Sequence, residues 1–271
     1  MKKFLVLSLY AILFSGLFTG CEKKGTPPAL PPAESMKIDF SSFAVGKKSL
    51  TIPGAAENVN WAVAATIAGI WNSLIVVNLA VPVASFEKAV SLSPSYIDNK
   101  TWQWKYSVNV AGAAYNARLT GQIRSDDVLW TMYISKDGTG SFPEFTWFTG
   151  TAALDGNSGT WTMNASHDDQ TPLLQIDWTK SGENIATVKY TYVKTGESFT
   201  GSYIEYGLTS ATLNAYYNVH AYIATKLSFV DVNIEWSTSA YNGRVKAPAY
   251  FEDENWHCWD SNGNDITCPA R

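Results

Sequence analysis

From Trp102 to about residue 247, apolar and polar residues alternate in short segments separated by turns rich in Gly, Asp, Asn and Ser. In Trp102–Val108, for example, the aromatic residues fall on one face and the polar residues on the other. Such period-2 alternation with frequent turns is typical of antiparallel strands joined in sequence order. The segments lie near residues 101–110, 114–124, 127–136, 145–153, 158–165, 172–179, 185–193, 199–208, 214–223, 229–238 and 241–247. We therefore predict a mainly β fold, an antiparallel meander of about 10–11 strands that is strongly curved or barrel-like, because a wide open sheet leaves two vulnerable edges.

The segment before this meander has a different pattern. Asn58–Phe86 contains no charged residue and is rich in Ala, Ile, Val and Leu. Its length and hydropathy would allow a membrane-spanning helix, but Asn72 and Asn78 interrupt the run and Pro82 is expected to kink or end it. We predict one long hydrophobic helix over about residues 56–90, packed against the sheet as its apolar partner. A membrane helix is the alternative.

The N-terminus has the three parts of a signal peptide, with Lys2 and Lys3, an apolar run from Phe4 to Phe14, and small residues before Cys21. The sequence Leu17-Phe18-Thr19-Gly20-Cys21 resembles the bacterial lipobox, although Phe18 stands where that family most often has Leu. The resemblance covers only about the first 21 residues. It implies export, removal of residues 1–20 and attachment of lipid to Cys21. An ordinary secretory signal with an incidental cysteine is the alternative.

The residues after Cys21 are polar and rich in proline, which favours an extended tether over residues 21–35. We expect a single β-rich domain over residues 36–271, and the alternation in Met36–Phe43 indicates a first strand that joins or caps the sheet. Because Glu22 rather than Asp follows the lipidated cysteine, the resemblance implies a lipid-anchored protein of the cell envelope in the outer membrane. The leaflet orientation stays open.

Cysteine usage and net charge narrow the functional classes. If Cys21 carries lipid, Cys258 and Cys268 remain as a pair, which predicts a disulfide in an oxidising compartment; two reduced thiols are the alternative. Removing residues 1–20 removes two lysines and no acidic residue, so the formal charge moves from −4 to −6. An acidic chain without a basic run is poorly suited to nucleic acid.

No catalytic signature emerges. His167, His220 and His257 are far apart in sequence and lack zinc-peptidase spacing. The turn His167-Asp168-Asp169 is compatible with a metal or acid/base site and equally with a solvated turn. Glu205 and Glu235 lie in strand segments and are candidates for paired carboxylates, although nothing distinguishes them from other acids. We assign no catalytic residue, metal or cofactor and expect a non-enzymatic protein.

In the C-terminal segment Asp260–Asp265, oxygen-bearing side chains stand at alternate positions, as they do in the first residues of a calcium-binding loop. However, Asp265 stands where such loops have glycine. A polar turn closed by the cysteine pair is the simpler interpretation.

Aromatic richness is the one positive functional indication, with eleven tryptophans, all after residue 20. Exposed Trp and Tyr side chains can stack on sugar rings or cover an apolar ligand, although most aromatics at alternating positions belong to the core. The candidate ligand-binding residues are Trp147, Tyr216, Trp256 and Trp259.

Three functions remain open. The first is a binding or scaffold lipoprotein that contacts a glycan or an envelope protein. The second is a lipocalin-like carrier of an apolar ligand, and the third is a carbohydrate-binding or carbohydrate-processing surface lipoprotein. An integral outer-membrane barrel is less compatible with an acyl anchor and a terminal disulfide. The interior decides between scaffold and carrier, because a helix that fills the concave face leaves little room for a ligand, whereas a helix outside it opens a cavity.

Overall fold

The computed structural model describes residues 24–43, 58–182 and 184–269, so the signal sequence and Cys21 lie outside the described residues. Two α-helices are present in these ranges, α1 (Val59–Val90) and α2 (Pro248–Phe251), with 3-10 helices at Ala33–Met36 and Ser41–Phe43. The strands are β1 (Ser95–Tyr96), β2 (Thr101–Val110), β3 (Ala113–Ile123), β4 (Asp127–Lys136), β5 (Phe142–Ala153), β6 (Ser158–Asn164), β7 (Pro172–Ser181), β8 (Asn184–Tyr192), β9 (Tyr203–Leu208), β10 (Ala215–Ile223), β11 (Ser228–Trp236), β12 (Gly243–Lys246), β13 (His257–Trp259) and β14 (Asp265–Ile266).

All the strands form one antiparallel sheet in which each strand pairs with its neighbour in sequence, from β1 to β14. The meander is therefore confirmed, and the eleven predicted segments correspond to β2–β12. The remaining three strands are only two or three residues long, too short to show an alternating pattern.

The sheet was expected to be strongly curved or barrel-like, and it does not close into a barrel. Over the described residues, β1 pairs only with β2 and β14 only with β13, so the sheet stays open. Both edge strands contain two residues, and very short edge strands expose few unpaired backbone groups. The edges are thus protected without closure.

The inner face of the sheet, defined as the face that packs against α1, carries the core. In β4 the alternate residues Val128, Trp130, Met132 and Ile134 are buried there, while their neighbours are only partly buried. The period-2 pattern that predicts the strands therefore also identifies the face of β4 that is removed from water.

Helix α1 is the predicted long hydrophobic helix, and it packs on the sheet as expected. Its buried stripe repeats at steps of three, four and seven residues, which places it on one side of a helix. The stripe consists of Trp61, Ala64, Ala68, Ile75, Leu79, Phe86 and Ala89.

The helix does not end at Pro82 but continues to Val90. Packing holds the segment beyond the proline, since Phe86 and Ala89 are fully buried and the Phe86 ring lies 5.1 Å from the Trp161 ring. The Tyr106 hydroxyl also donates a hydrogen bond of 2.5 Å to the Ser85 carbonyl. Tertiary contacts thus outweigh the backbone hydrogen bond that a proline cannot make.

The N-terminus of α1 is held by the opposite edge of the sheet. The Asp265 carboxylate in β14 accepts hydrogen bonds from the Val59 and Asn60 amides, at 3.1 and 3.0 Å. The Asn60 side chain donates to the Cys258 carbonyl at 2.9 Å. Because α1 also contacts β2 and β3, it connects the first strands of the meander to the last.

Cys258 and Cys268 lie at disulfide distance, with Cα atoms 5.1 Å apart. Their bridge closes the C-terminal hairpin that carries Asp265. In this way the predicted cysteine pair fixes the segment that caps α1.

Residues 30–43 lie across the inner face and do not join the sheet, so the strand predicted at Met36–Phe43 is wrong. The alternation that suggested it is nevertheless real, because Met36, Ile38 and Phe40 are buried. Their main chain is bound by side chains of the sheet: the Tyr190 hydroxyl donates to the Met36 carbonyl at 2.6 Å, and the Tyr217 hydroxyl donates to the Asp39 carbonyl. Within the proposed tether, Leu30 packs against the core and Ser35 is buried.

Candidate functional site

An apolar cavity of about 810 Å³ lies between α1 and the inner face of β7–β11. Helix α1 and residues 30–43 therefore do not fill the inner face completely. Helix α1 forms one wall, the ends of the strands form the floor, and two loops with α2 form the rim. This cavity is a concave site that can receive a ligand.

The floor is built by residues in register on neighbouring strands. Tyr190, Ile204, Val219 and Val232 are successive cross-strand partners from β8 to β11, and Tyr190, Val219 and Val232 line the cavity. All four are buried. Because the Tyr190 hydroxyl points to the Met36 carbonyl, the floor presents mainly hydrocarbon to the cavity, and burial raises the pKa of Tyr190.

The helical wall is provided by the side of α1 that flanks its buried stripe. Ile67, Trp71 and Ile75 line the cavity close to the core, whereas Ile70 and Leu74 are 56% and 53% exposed. Since α1 is uncharged from Asn58 to Phe86, it has more apolar surface than the sheet covers. The part of this uncovered surface that includes Ile70 and Leu74 faces the cavity and its opening.

The rim combines exposed aromatic residues with one cation. Phe199 lies in the β8–β9 connection, Tyr250 in α2 and Lys226 in the β10–β11 turn, and all three are exposed. The Phe199 ring packs 4.7 Å from the ring of Tyr192, which also lines the cavity.

Two of the four aromatic residues predicted from the sequence, Tyr216 and Trp256, lie close together on the outer face. The Tyr216 hydroxyl donates to Glu205 at 2.8 Å, and burial together with this hydrogen bond raises the pKa of Tyr216. Tyr216 pairs across the strands with Glu235, which binds the Arg244 guanidinium that stacks 4.3 Å from the Trp256 ring. Both aromatic residues are thus already engaged by neighbouring side chains.

The other two lie elsewhere. Trp147 is partly buried in a cluster with Phe142 and Phe145, whose ring centroids lie 6.5 and 5.3 Å from its own. Trp259 is not a rim residue, because its side chain is 1% exposed and donates to the Tyr241 carbonyl at 3.0 Å. It belongs to the core beside Phe43. None of the four lines the cavity.

The three histidines share a local arrangement without meeting one another. Each ring contacts an aspartate carboxylate and stacks on a phenylalanine ring. The pairs are His167 with Asp168 and Phe142, His220 with Asp231 and Phe229, and His257 with Asp253 and Phe251. Among the described residues, no group of three or more His, Cys, Asp or Glu side chains is placed to hold a metal ion.

The remaining acidic candidates have structural partners. Asp169 binds Thr171 and Lys194, which lower the pKa of its carboxyl to about 2. Glu205 and Glu235 are bound by Tyr216 and Arg244, as described above. In the Asp260–Asp265 turn, the Asp260 carboxylate accepts the Asn262 and Asn264 amides at 2.8 and 2.9 Å, while Asp265 caps α1.

Sequence reasoning missed the residues of the cavity, although two signals pointed to it. Helix α1 is apolar on more than its buried stripe, and Lys226 follows an apolar strand end in β10. Neither signal specifies which strands meet the helix, because the register of the sheet has to be known first.

Helix α1 also satisfies the length and hydropathy expected of a membrane span over Val59–Val76, and 39% of that window is buried. It is the one helix in the described parts of the chain that does so. Comparison with models of protein families, with curated proteins and with solved structures gives no match.

Proposed function

We propose that this chain is a lipid-anchored protein of the cell envelope that binds an apolar ligand in the cavity between α1 and the sheet, without catalysing a reaction. The observation that carries this proposal is the cavity itself, about 810 Å³ in volume and lined mainly by apolar side chains. Ligand pockets typically measure about 300–1,000 Å³ and combine an apolar lining with a few polar groups.

The exposed apolar side chains at the opening support binding. Ile70, Leu74 and Phe199 remain in contact with water although they adjoin a buried apolar floor. Removing such surface from water is favourable by about 25 cal/mol per Å². Binding of an apolar molecule over these three side chains therefore lowers the free energy. Grouped apolar exposure of this kind marks binding sites more often than isolated exposed residues do.

The predicted location, anchored by lipid in the cell envelope, is consistent with such a ligand. A lipid on Cys21 would keep the domain near a membrane, where apolar molecules are concentrated. The glycan-binding alternative has less support, because Arg244 stacks on Trp256 and Trp259 is in the core. A carrier of an apolar ligand therefore accounts for more of the described features than a glycan binder does.

The test is binding of the uncharged fluorophore N-phenyl-1-naphthylamine to the mature chain carrying Cys21→Ser. We expect emission to rise on binding to this protein and to be lost in Ala221→Trp, which places an indole in the cavity. Ala114→Trp, at an exposed position in β3, is the matched control and should bind as the parent does.

Circular dichroism of each variant verifies that the fold is retained. Absence of fluorophore binding to the parent, or equal binding by Ala221→Trp, would exclude the cavity as the ligand site.

A further inference from the structure

The cavity has one charged side chain, Lys226. The other described residues that line it are apolar or uncharged, and no carboxylate is among them. A single cation at the edge of an apolar cavity favours a ligand that has a long hydrocarbon part and one negative charge.

The position of Lys226 is fixed by two neighbouring segments. Its backbone amide donates to the Ile223 carbonyl at 3.0 Å, which closes the β10–β11 turn. Its ammonium donates to the carbonyl of Ala249, another residue of the lining, at 2.8 Å. An ammonium has three N–H donors, so two remain for a ligand at the rim.

One carboxylate, that of Glu197, is hydrogen-bonded to a lining residue, and its negative charge is already balanced by another lysine. Glu197 accepts the hydroxyl of the lining residue Tyr192 at 2.7 Å and lies 3.7 Å from the Lys194 ammonium. The charge of Lys226 therefore stays available to an anion at the opening.

The cavity is large enough for a long hydrocarbon chain. A methylene group needs slightly less room than a water molecule, whose share of the liquid is ~30 Å³. A chain of about 16–18 carbons then needs roughly 500 Å³, which the cavity of about 810 Å³ can accommodate.

We infer that the ligand is a single-chain amphiphile with an acidic headgroup, of the long-chain fatty acid class. Its chain lies along Tyr190, Val219 and Val232, and its carboxylate binds Lys226 at the rim. This inference rests on the proposed function, since it specifies the chemistry of a ligand in the same cavity.

The test compares two compounds with the same 18-carbon chain, oleate and oleyl alcohol, as competitors of bound N-phenyl-1-naphthylamine. We expect oleate to displace the fluorophore from the parent at about two- to fivefold lower concentration, the range of an ion pair at an exposed position. The preference should disappear in Lys226→Met, persist in Lys226→Arg, and decrease in high salt because exposed charges are screened.

Lys105→Met is the control, since this exposed lysine of β2 is not part of the lining. An equal preference in Lys226→Met and Lys105→Met, or no preference in the parent, would overturn the headgroup assignment. Fluorophore binding by the parent would still support the cavity in that case, whereas loss of that binding would contradict the proposed function itself.

Discussion

Gly159 lies directly opposite Trp178 in the β6–β7 pair, and the indole covers the glycine so closely that a β-carbon would lie 2.8 Å from two atoms of the ring. The relationship recurs along the sheet, always between direct cross-strand partners. The other pairs are Gly121 with Trp130, Gly150 with Trp161, Gly207 with Tyr216, and Gly243 with Trp259. Glycine thus provides the space in which large aromatic rings lie across a neighbouring strand.

We expect Gly159→Ala to lower the free energy of unfolding by about 1–3 kcal/mol, because the methyl group would overlap both the indole and the Thr151 carbonyl oxygen. Urea denaturation measures the change. Gly69→Ala in α1 is the control, since a methyl group there would meet nothing within 4 Å and alanine should favour the helix by up to about 1 kcal/mol. Equal stability of Gly159→Ala and the parent would show that the ring can move away at little cost.

These pairs illustrate how far the sequence could predict the fold. The alternation that identifies β4 also places Trp130 on the buried face, and that much follows from local pattern. That Gly121 stands opposite Trp130 depends on the register between β3 and β4, which the spacing of apolar residues alone does not determine.

The residues of the candidate site are even harder to predict from local sequence pattern. Val219 and Val232 look like ordinary core residues in sequence, and Lys226 looks like a turn residue. They become one site only because β8–β11 bring the floor together beneath a helix that begins 160 residues before Val219. Trp259 shows the same limit, since its burial against Phe43 is a tertiary contact that local sequence pattern does not reveal.

The cap on α1 gives a second prediction. Asp265→Ala removes the carboxylate that accepts the Val59 and Asn60 amides, and we expect the free energy of unfolding to fall by about 1 kcal/mol. Asp265→Asn should lose less, because the amide oxygen can still accept one of these hydrogen bonds. Hydrogen exchange should also become faster at the first turn of α1 in the alanine variant. Unchanged exchange there would indicate that the C-terminal hairpin does not hold the helix.

Asp169 predicts a pH dependence. Hydrogen bonds from Thr171 and Lys194 lower the pKa of its carboxyl from 3.8 to about 2 in the folded protein, so folding favours the ionised form. Its contribution to stability is therefore present above pH 3.8 and is lost as the pH falls toward about 2. Asp169→Asn should lower the melting temperature near pH 6 and have a much smaller effect near pH 2.

The control for this titration is Asp98→Asn, which removes the same charge from an exposed position. Its melting temperature should follow that of the parent across the pH range. A pH-independent effect of Asp169→Asn would mean that the local hydrogen bonds matter but the titration of the carboxyl does not.

The N-terminus gives the last prediction, which concerns the membrane anchor. If the lipobox-like residues before Cys21 are processed as their resemblance implies, the protein extracted from membranes should lack residues 1–20 and carry acyl mass on Cys21. Intact mass spectrometry measures both changes at once, and Cys21→Ser should carry no acyl mass and should leave the membrane fraction. The distance between the membrane anchor and the folded domain also matters for the ligand. Leu30 packs on the core, and the nine residues from Cys21 to Leu30 can span at most ~30 Å. Acylation would therefore keep the domain close to the bilayer, whereas a mature chain without acyl mass would remove this link between the domain and a membrane source of ligand.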